Sequence, residues 1–153
     1  MNIDQYTSNP AVLDGTKLAD RWYGWNQSSA FINADRIGTA SGLADYSFVQ
    51  RFTLIAAGSA SANQYVGFDQ KIEANNIVDF QMCQAGAKTI TVSFTVLTTV
   101  AGSYAFRLYN PQGNQSYVKV YSIPSPNVYT RISATIPLPT SGTWTASSGA
   151  GLQ

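Results

Sequence analysis

Two carboxylates, Asp69 and Glu73, form the pair in this sequence that comes closest to what a hydrolase needs. They lie four residues apart in a stretch of alternating polarity, so both are predicted to face away from the core. Strand spacing separates their Cα atoms by about 13 Å, whereas the two carboxyl groups of a glycosidase lie about 5–9.5 Å apart. The sequence has no histidine, which excludes Ser-His-Asp and Cys-His nucleophiles. We therefore predict that the protein is not an enzyme and has no catalytic residue.

Metal and cysteine chemistry are also restricted. Cys83 is the only cysteine, which excludes an intrachain disulfide and a cysteine-based zinc site. Asp20, directly before Arg21 and Trp22, has two interpretations. Its carboxylate either satisfies loop backbone beside a buried Trp22, or binds Ca²⁺ together with backbone carbonyls. No spaced Asp/Asn cluster of the EF-hand type exists, so we predict no metal and no cofactor.

Aromatic side chains offer the best binding hypothesis. Tyr and Trp combine a flat apolar face with a polar tip, which suits sugar rings and protein interfaces alike. Four candidates flank a predicted hairpin turn at 110–114, and two lie in a turn-like stretch near the start of the chain. A glycan platform, an interface with another protein and burial in the domain's own core all remain open for them. In chain order the candidates are Tyr23, Trp25, Tyr109, Tyr117, Lys119 and Tyr121.

Charge is low and evenly distributed. Only 11% of the 153 residues are charged and the net charge is +1, against roughly 25% charged residues in an average soluble protein. No basic run offers a footprint for nucleic acid or an anionic membrane. No run approaches the roughly 20 apolar residues of a membrane span, and residues 1–20 lack a signal-peptide core. Such an uncharged, hydrogen-bonding surface favours a secreted, extracellular or virion protein.

Period-two alternation dominates the chain, which is typical of antiparallel sheets with one buried face. In the clearest segment, Ile90, Val92, Phe94 and Val96 alternate with threonine and serine. About eight strands follow one another at the 8–12-residue spacing of sandwiches and jelly rolls. Residues 73–86 are ambiguous between a helical turn and a short crossover strand. The principal predicted strands span 46–56, 64–72, 88–97, 103–110, 115–123 and 127–138.

Four segments follow one another along the chain: "LADRWYGW", "VGFDQKIEANNIVDF", "AKTITVSFTVLTTVAGSYAFRLYN" and "RISATIPLPTSGTW". In this order they resemble a β-sandwich domain of bacteriophage tail-fibre and other virion proteins. These domains are similar to carbohydrate-binding modules of the galactose-binding jelly-roll type. The resemblance covers 18–153 and implies an antiparallel jelly-roll β-sandwich, with 1–17 as an N-terminal arm or attachment segment.

The end of the sequence, "SGTWTASSGAGLQ", raises a separate question. Trp144 is predicted to pack against the sandwich. The resemblance implies a further strand from Leu152, and one or two more beyond it. Our hypothesis is that the last strand or strands are missing. Either the sequence is part of a longer protein, or a neighbouring chain covers the open edge.

The resemblance implies a virion protein that serves attachment, in a tail fibre or a fibre-like component. Its partners would be other virion proteins and further copies of itself, with a trimer most plausible by analogy, and host glycan recognition is a candidate role. Two alternatives stay open, a free-standing carbohydrate-binding module and a cement protein that decorates a capsid or tail without a ligand. Neither nucleic acid nor membrane insertion is expected.

Overall fold

A computed structural model describes residues 11–19, 21–38, 47–110, 115–144 and 150–152. These residues form antiparallel β-sheets with no α-helix among them, which confirms the predicted all-β class. In the described ranges no helix has the length and apolarity needed to cross a membrane. The chain divides into two compact units, Met1–Gln70 and Lys71–Gln153.

The described residues of the first unit form five strands in two antiparallel sheets. β2 is the central strand of a three-stranded sheet in the order β1-β2-β5, and β3 pairs with β4. The β2–β5 pair therefore encloses the β3–β4 pair along the chain. The strands are β1 (Thr16–Ala19), β2 (Trp22–Asn26), β3 (Phe31–Gly38), β4 (Phe48–Ala56) and β5 (Val66–Gln70).

An apolar cluster joins the two sheets of this unit. Trp22 on β2 and Phe68 on β5 have ring centroids 5.6 Å apart, and Phe68 stacks on Phe52 of β4 at 4.9 Å. Trp22 and Phe52 pack against a buried aliphatic group. Burial of this apolar surface is the main term that stabilises the unit. The aliphatic members are Val12, Leu18, Ile32 and Ala34.

The turn-like conformation predicted around Tyr23 and Trp25 is wrong. Tyr23 and Trp25 lie within β2 and not in a turn. Aromatic residues favour strands, and Gly24 between them lies against the core, where a β-carbon would come within 2.7 Å of Val12 Cγ1. Because Gly24 reads as a turn signal, its packing role is hidden in the sequence.

The predicted arm at 1–17 is described only from residue 11 onward. Val12 is almost fully buried in the first unit, and its backbone N–H donates to Ile32 O at 2.8 Å. Thr16 begins β1. The described part of this segment is thus packed into the first unit, and residues 1–10 lie outside the described residues.

In the second unit, the part of the chain that the structure describes forms six strands paired in a nested order. β6 pairs with β11, β7 with β10 and β8 with β9, all antiparallel. Each pair encloses the next along the chain. The strands are β6 (Ile72–Glu73), β7 (Thr89–Val96), β8 (Gly102–Asn110), β9 (Gln115–Ile123), β10 (Thr130–Pro137) and β11 (Ala150–Leu152).

Phe94 holds two of these strand pairs together. Its ring meets Phe106 of β8 edge-on at 5.6 Å and Tyr121 of β9 at 5.5 Å. The predicted inner face of β7 is confirmed, because Ile90, Val92 and Phe94 are all less exposed than the threonine and serine residues between them.

A second cluster lies at the other end of these strands. Leu152 of β11 is one of its buried residues. Trp144 packs against this cluster, as predicted. The ambiguous stretch 73–86 forms two 3-10 turns, Ala74–Asn76 and Val78–Phe80. The buried members of the cluster are Ile77, Met82, Leu138 and Leu152.

Gly24→Ala is expected to destabilise the protein by about 1–3 kcal/mol, because the added methyl overpacks the core beside Val12. Urea denaturation followed by tryptophan fluorescence measures the change. Gly67→Ala is the matched control, since Gly67 also lies in a strand but has open space around its β-carbon position. Equal loss of stability in both variants would contradict the packing role of Gly24.

Candidate ligand-binding site

The β8–β9 hairpin separates the predicted tyrosines onto two faces. Tyr117, Lys119 and Tyr121 alternate along β9 and share one face, as predicted. Opposite Tyr117 and Tyr121 the register places Leu108 and Tyr104. Because Phe94 packs on this face, it is the inner face of the hairpin.

Tyr121 is held within this aromatic group. Besides Phe94, its ring stacks with Tyr104 at a centroid distance of 6.1 Å. Burial raises the pKa of the Tyr121 hydroxyl above its ordinary value, and the neighbouring Tyr104 adds to the shift. Tyr121 therefore serves the interior of the second unit more than an open platform.

The outer face of the hairpin carries Tyr109. The guanidinium of Arg107 lies 4.3 Å from the centroid of the Tyr109 ring, a cation–π contact. The same face exposes Val118 and Val120, which are 57% and 62% accessible. The structure thus places Tyr109 away from Tyr117 and Tyr121.

Tyr117 also lines a cavity of about 220 Å³ in the second unit. Trp144 lines it as well, so the cavity combines two aromatic residues with aliphatic and proline neighbours. The lining residues that the structure describes include no charged side chain. They are Leu108, Gln115, Ser116, Tyr117, Ile136, Pro137, Leu138, Pro139 and Trp144.

Gln115 brings an amide to this cavity. The Cys83 thiol donates a weak hydrogen bond to Gln115 Oε1, with Sγ and Oε1 3.5 Å apart. Gly142 has a φ of +99°, and a β-carbon there would overlap with Gln115 Nε2. Because residue 142 is glycine, the Gln115 amide can occupy the space that a side chain would fill there.

A second polar and aromatic group lies in the first unit. The β1-β2-β5 register aligns Lys17, Tyr23 and Asp69 in one row across the sheet, and Trp25 shares their face. The Trp25 indole Nε1 donates to Asp69 Oδ1. The face away from the core thus combines an indole, a phenol, an ammonium and a carboxylate.

The carboxylates show no catalytic arrangement within either unit. Asp69 belongs to β5 of the first unit and Glu73 to β6 of the second. Arg51 Nε donates to Asp35 Oδ1 at 2.9 Å, and this hydrogen bond raises the pKa of the Arg51 guanidinium above its ordinary value. Among the described residues, no three Asp, Glu or Cys side chains come together as a metal site would require; Asp20 lies outside them.

The cavity was not predicted from the sequence, although two of its residues carried a signal. Tyr117 is a predicted binding residue, and Trp144 is predicted to pack against the sandwich. Gln115 and the prolines of "PLP" at 137–139 gave no such signal, because their meeting depends on the nested pairing of strands far apart in the chain.

Comparison with known proteins finds no match, neither a family model, nor a curated protein, nor a solved structure. The resemblance to virion domains therefore stays a prediction.

Tyr121→Phe is expected to make stability less sensitive to alkaline pH. A phenol with a raised pKa in the folded state binds its proton more tightly there than in the unfolded chain. Tyrosines in the unfolded chain have a pKa of about 10. The free energy of unfolding then falls as pH rises above that value. Urea denaturation between pH 8 and 11 should show a shallower fall for Tyr121→Phe than for the wild type. Tyr109→Phe controls for loss of one hydroxyl, and identical slopes for wild type and Tyr121→Phe would contradict the burial effect.

Proposed function

We propose that the protein is a non-enzymatic attachment component of a bacteriophage virion and binds a host glycan in the cavity beside Tyr117. The observation that carries the proposal is that Tyr117 and Trp144 line one cavity whose described lining residues are all uncharged. Aromatic rings present flat apolar faces, which suit the apolar faces of sugar rings. Recognition by neutral groups also agrees with a chain in which 11% of residues are charged.

A jelly roll is the proposed fold. The nested pairs β6–β11, β7–β10 and β8–β9 support it, because a jelly roll is a double-sheet arrangement built from long antiparallel hairpins that fold over together. The β2–β5 pair around β3–β4 supports it in the first unit.

Assembly into a homo-oligomer, by analogy a trimer, would suit attachment. A cavity of about 220 Å³ is smaller than the roughly 300–1,000 Å³ of drug-sized pockets, so each site makes few contacts and binds weakly. Several linked sites raise the effective affinity without any new contact. Tail fibre and fibre-like component are the two proposed positions on the virion.

Tyr117→Ala is expected to weaken glycan binding by about tenfold or more, which corresponds to about 1.4 kcal/mol. A glycan array with the oligomer identifies the ligand, and isothermal titration calorimetry measures the affinity. Val118→Ala is the matched control, because Val118 is the next residue of β9 and faces outward.

Tyr117→Phe should bind almost as well as the wild type, because the ring is retained. Circular dichroism establishes that each variant is folded. No binding to any glycan on the array, or wild-type affinity in Tyr117→Ala, would refute glycan recognition at this site.

A cement protein without a ligand is the second candidate function. The exposure of Val118 and Val120 on the outer face of the hairpin favours it, because neighbouring exposed apolar side chains are typical of protein interfaces. Particles that lack the protein should then lose heat stability and keep normal adsorption to the host. A loss of adsorption with unchanged particle stability would exclude this function.

A further inference from the structure

Resting on the proposed glycan-binding function, we infer that the cavity selects sugars that carry an N-acetyl group. The first reason is its apolar wall. The aliphatic and proline side chains at Leu108, Ile136, Pro137, Leu138 and Pro139 offer no side-chain hydrogen-bonding group. A sugar hydroxyl buried against them would lose its bonds to water without replacement. The methyl of an acetamido group loses nothing and gains burial.

Gln115 supplies the second reason. Its Oε1 already accepts a hydrogen bond from the Cys83 thiol. The other amide atom, Nε2, carries two N–H donors, and it is the atom that the inference assigns to the ligand. The matching ligand group is an acceptor, and the carbonyl oxygen of an acetamido group is one that lies directly beside a methyl.

Charge narrows the choice of acceptor. A sugar carboxylate is also an acceptor, but it needs a cationic partner when buried. The described residues that line the cavity include neither lysine nor arginine. A neutral acetamido carbonyl therefore fits better than the carboxylate of a uronic acid.

The size of the cavity agrees with a substituent and not a whole oligosaccharide. At about 220 Å³ it lies below the roughly 300–1,000 Å³ of pockets that enclose drug-sized ligands. The acetamido group would enter the cavity, with the sugar ring against Tyr117 or Trp144. The rest of a longer glycan would stay outside.

The test compares two trisaccharides that share their backbone. N,N′,N″-Triacetylchitotriose, called chitotriose below, carries an acetamido group on each ring, where cellotriose carries a hydroxyl. Isothermal titration calorimetry with the full chain should give chitotriose at least about tenfold higher affinity, as expected when one methyl and one hydrogen-bonding group distinguish two ligands. N-acetylgalactosamine and galactose form a second pair with the same difference.

Gln115→Leu and Gln115→Glu test the amide directly. Both should reduce the preference for chitotriose about tenfold and leave the weak affinity for cellotriose unchanged, because the leucine has no donor and the glutamate repels a carbonyl oxygen. Gln84→Leu is the control, since Gln84 is an exposed glutamine of the same unit. Thermal melts establish that the variants are folded.

The outcomes separate the inference from the proposed function. Equal affinity for the members of both pairs overturns N-acetyl selection and leaves glycan binding intact. An unchanged preference in both Gln115 variants overturns the role of the amide. No binding to either trisaccharide, to either monosaccharide or to any glycan on the array overturns the proposed function and the inference with it.

Discussion

Phe94 fixes which side of the β8–β9 hairpin faces inward, and most of the second unit depends on that choice. Its ring contacts Phe106 and Tyr121 on one face of the hairpin. Because side chains alternate along a strand, this contact assigns every residue of β9 to a face. Gln115 and Tyr117 go to the inner side, and Val118 goes to the outer side. A shift of one residue would reverse these assignments and remove Tyr117 from the cavity.

Gly24 and Gly142 matter for the same reason, namely that another group occupies the space of the missing side chain. At Gly24 the neighbour is Val12 in the core of the first unit, and at Gly142 it is the Gln115 amide. The first close approach allows an aromatic strand to lie on its core. The second leaves room for the Gln115 amide beside the mostly apolar lining of the cavity. Neither requirement is visible in the sequence, where both glycines read as turn residues.

Local pattern was enough to predict much of the fold, and distant contacts decided the rest. The strand at 115–123 and the inner face of β7 follow from alternation and from β-branched and aromatic residues. The strand around Tyr23 and Trp25 was missed because it is short and contains a glycine. The hydrogen bond from Trp25 to Asp69 joins residues 44 positions apart. The cavity beside Tyr117 likewise needs β8, β9 and β10 in place, and no short segment encodes it.

In the proposed attachment protein, the two faces of β9 would allow ligand recognition and assembly to vary separately. Tyr117 lines the cavity, whereas Val118 and Val120 of the same strand are exposed on the outer face. A substitution at Val118 changes the outer surface without entering the cavity, and one at Gln115 changes the cavity without altering that surface. In the proposed attachment protein, ligand choice would then be adjustable while contacts with neighbouring subunits are kept. Uncharged hydrogen-bond donors such as the Gln115 amide suit this arrangement. Their hydrogen bonds act over a short range, and they add nothing to the net charge of +1.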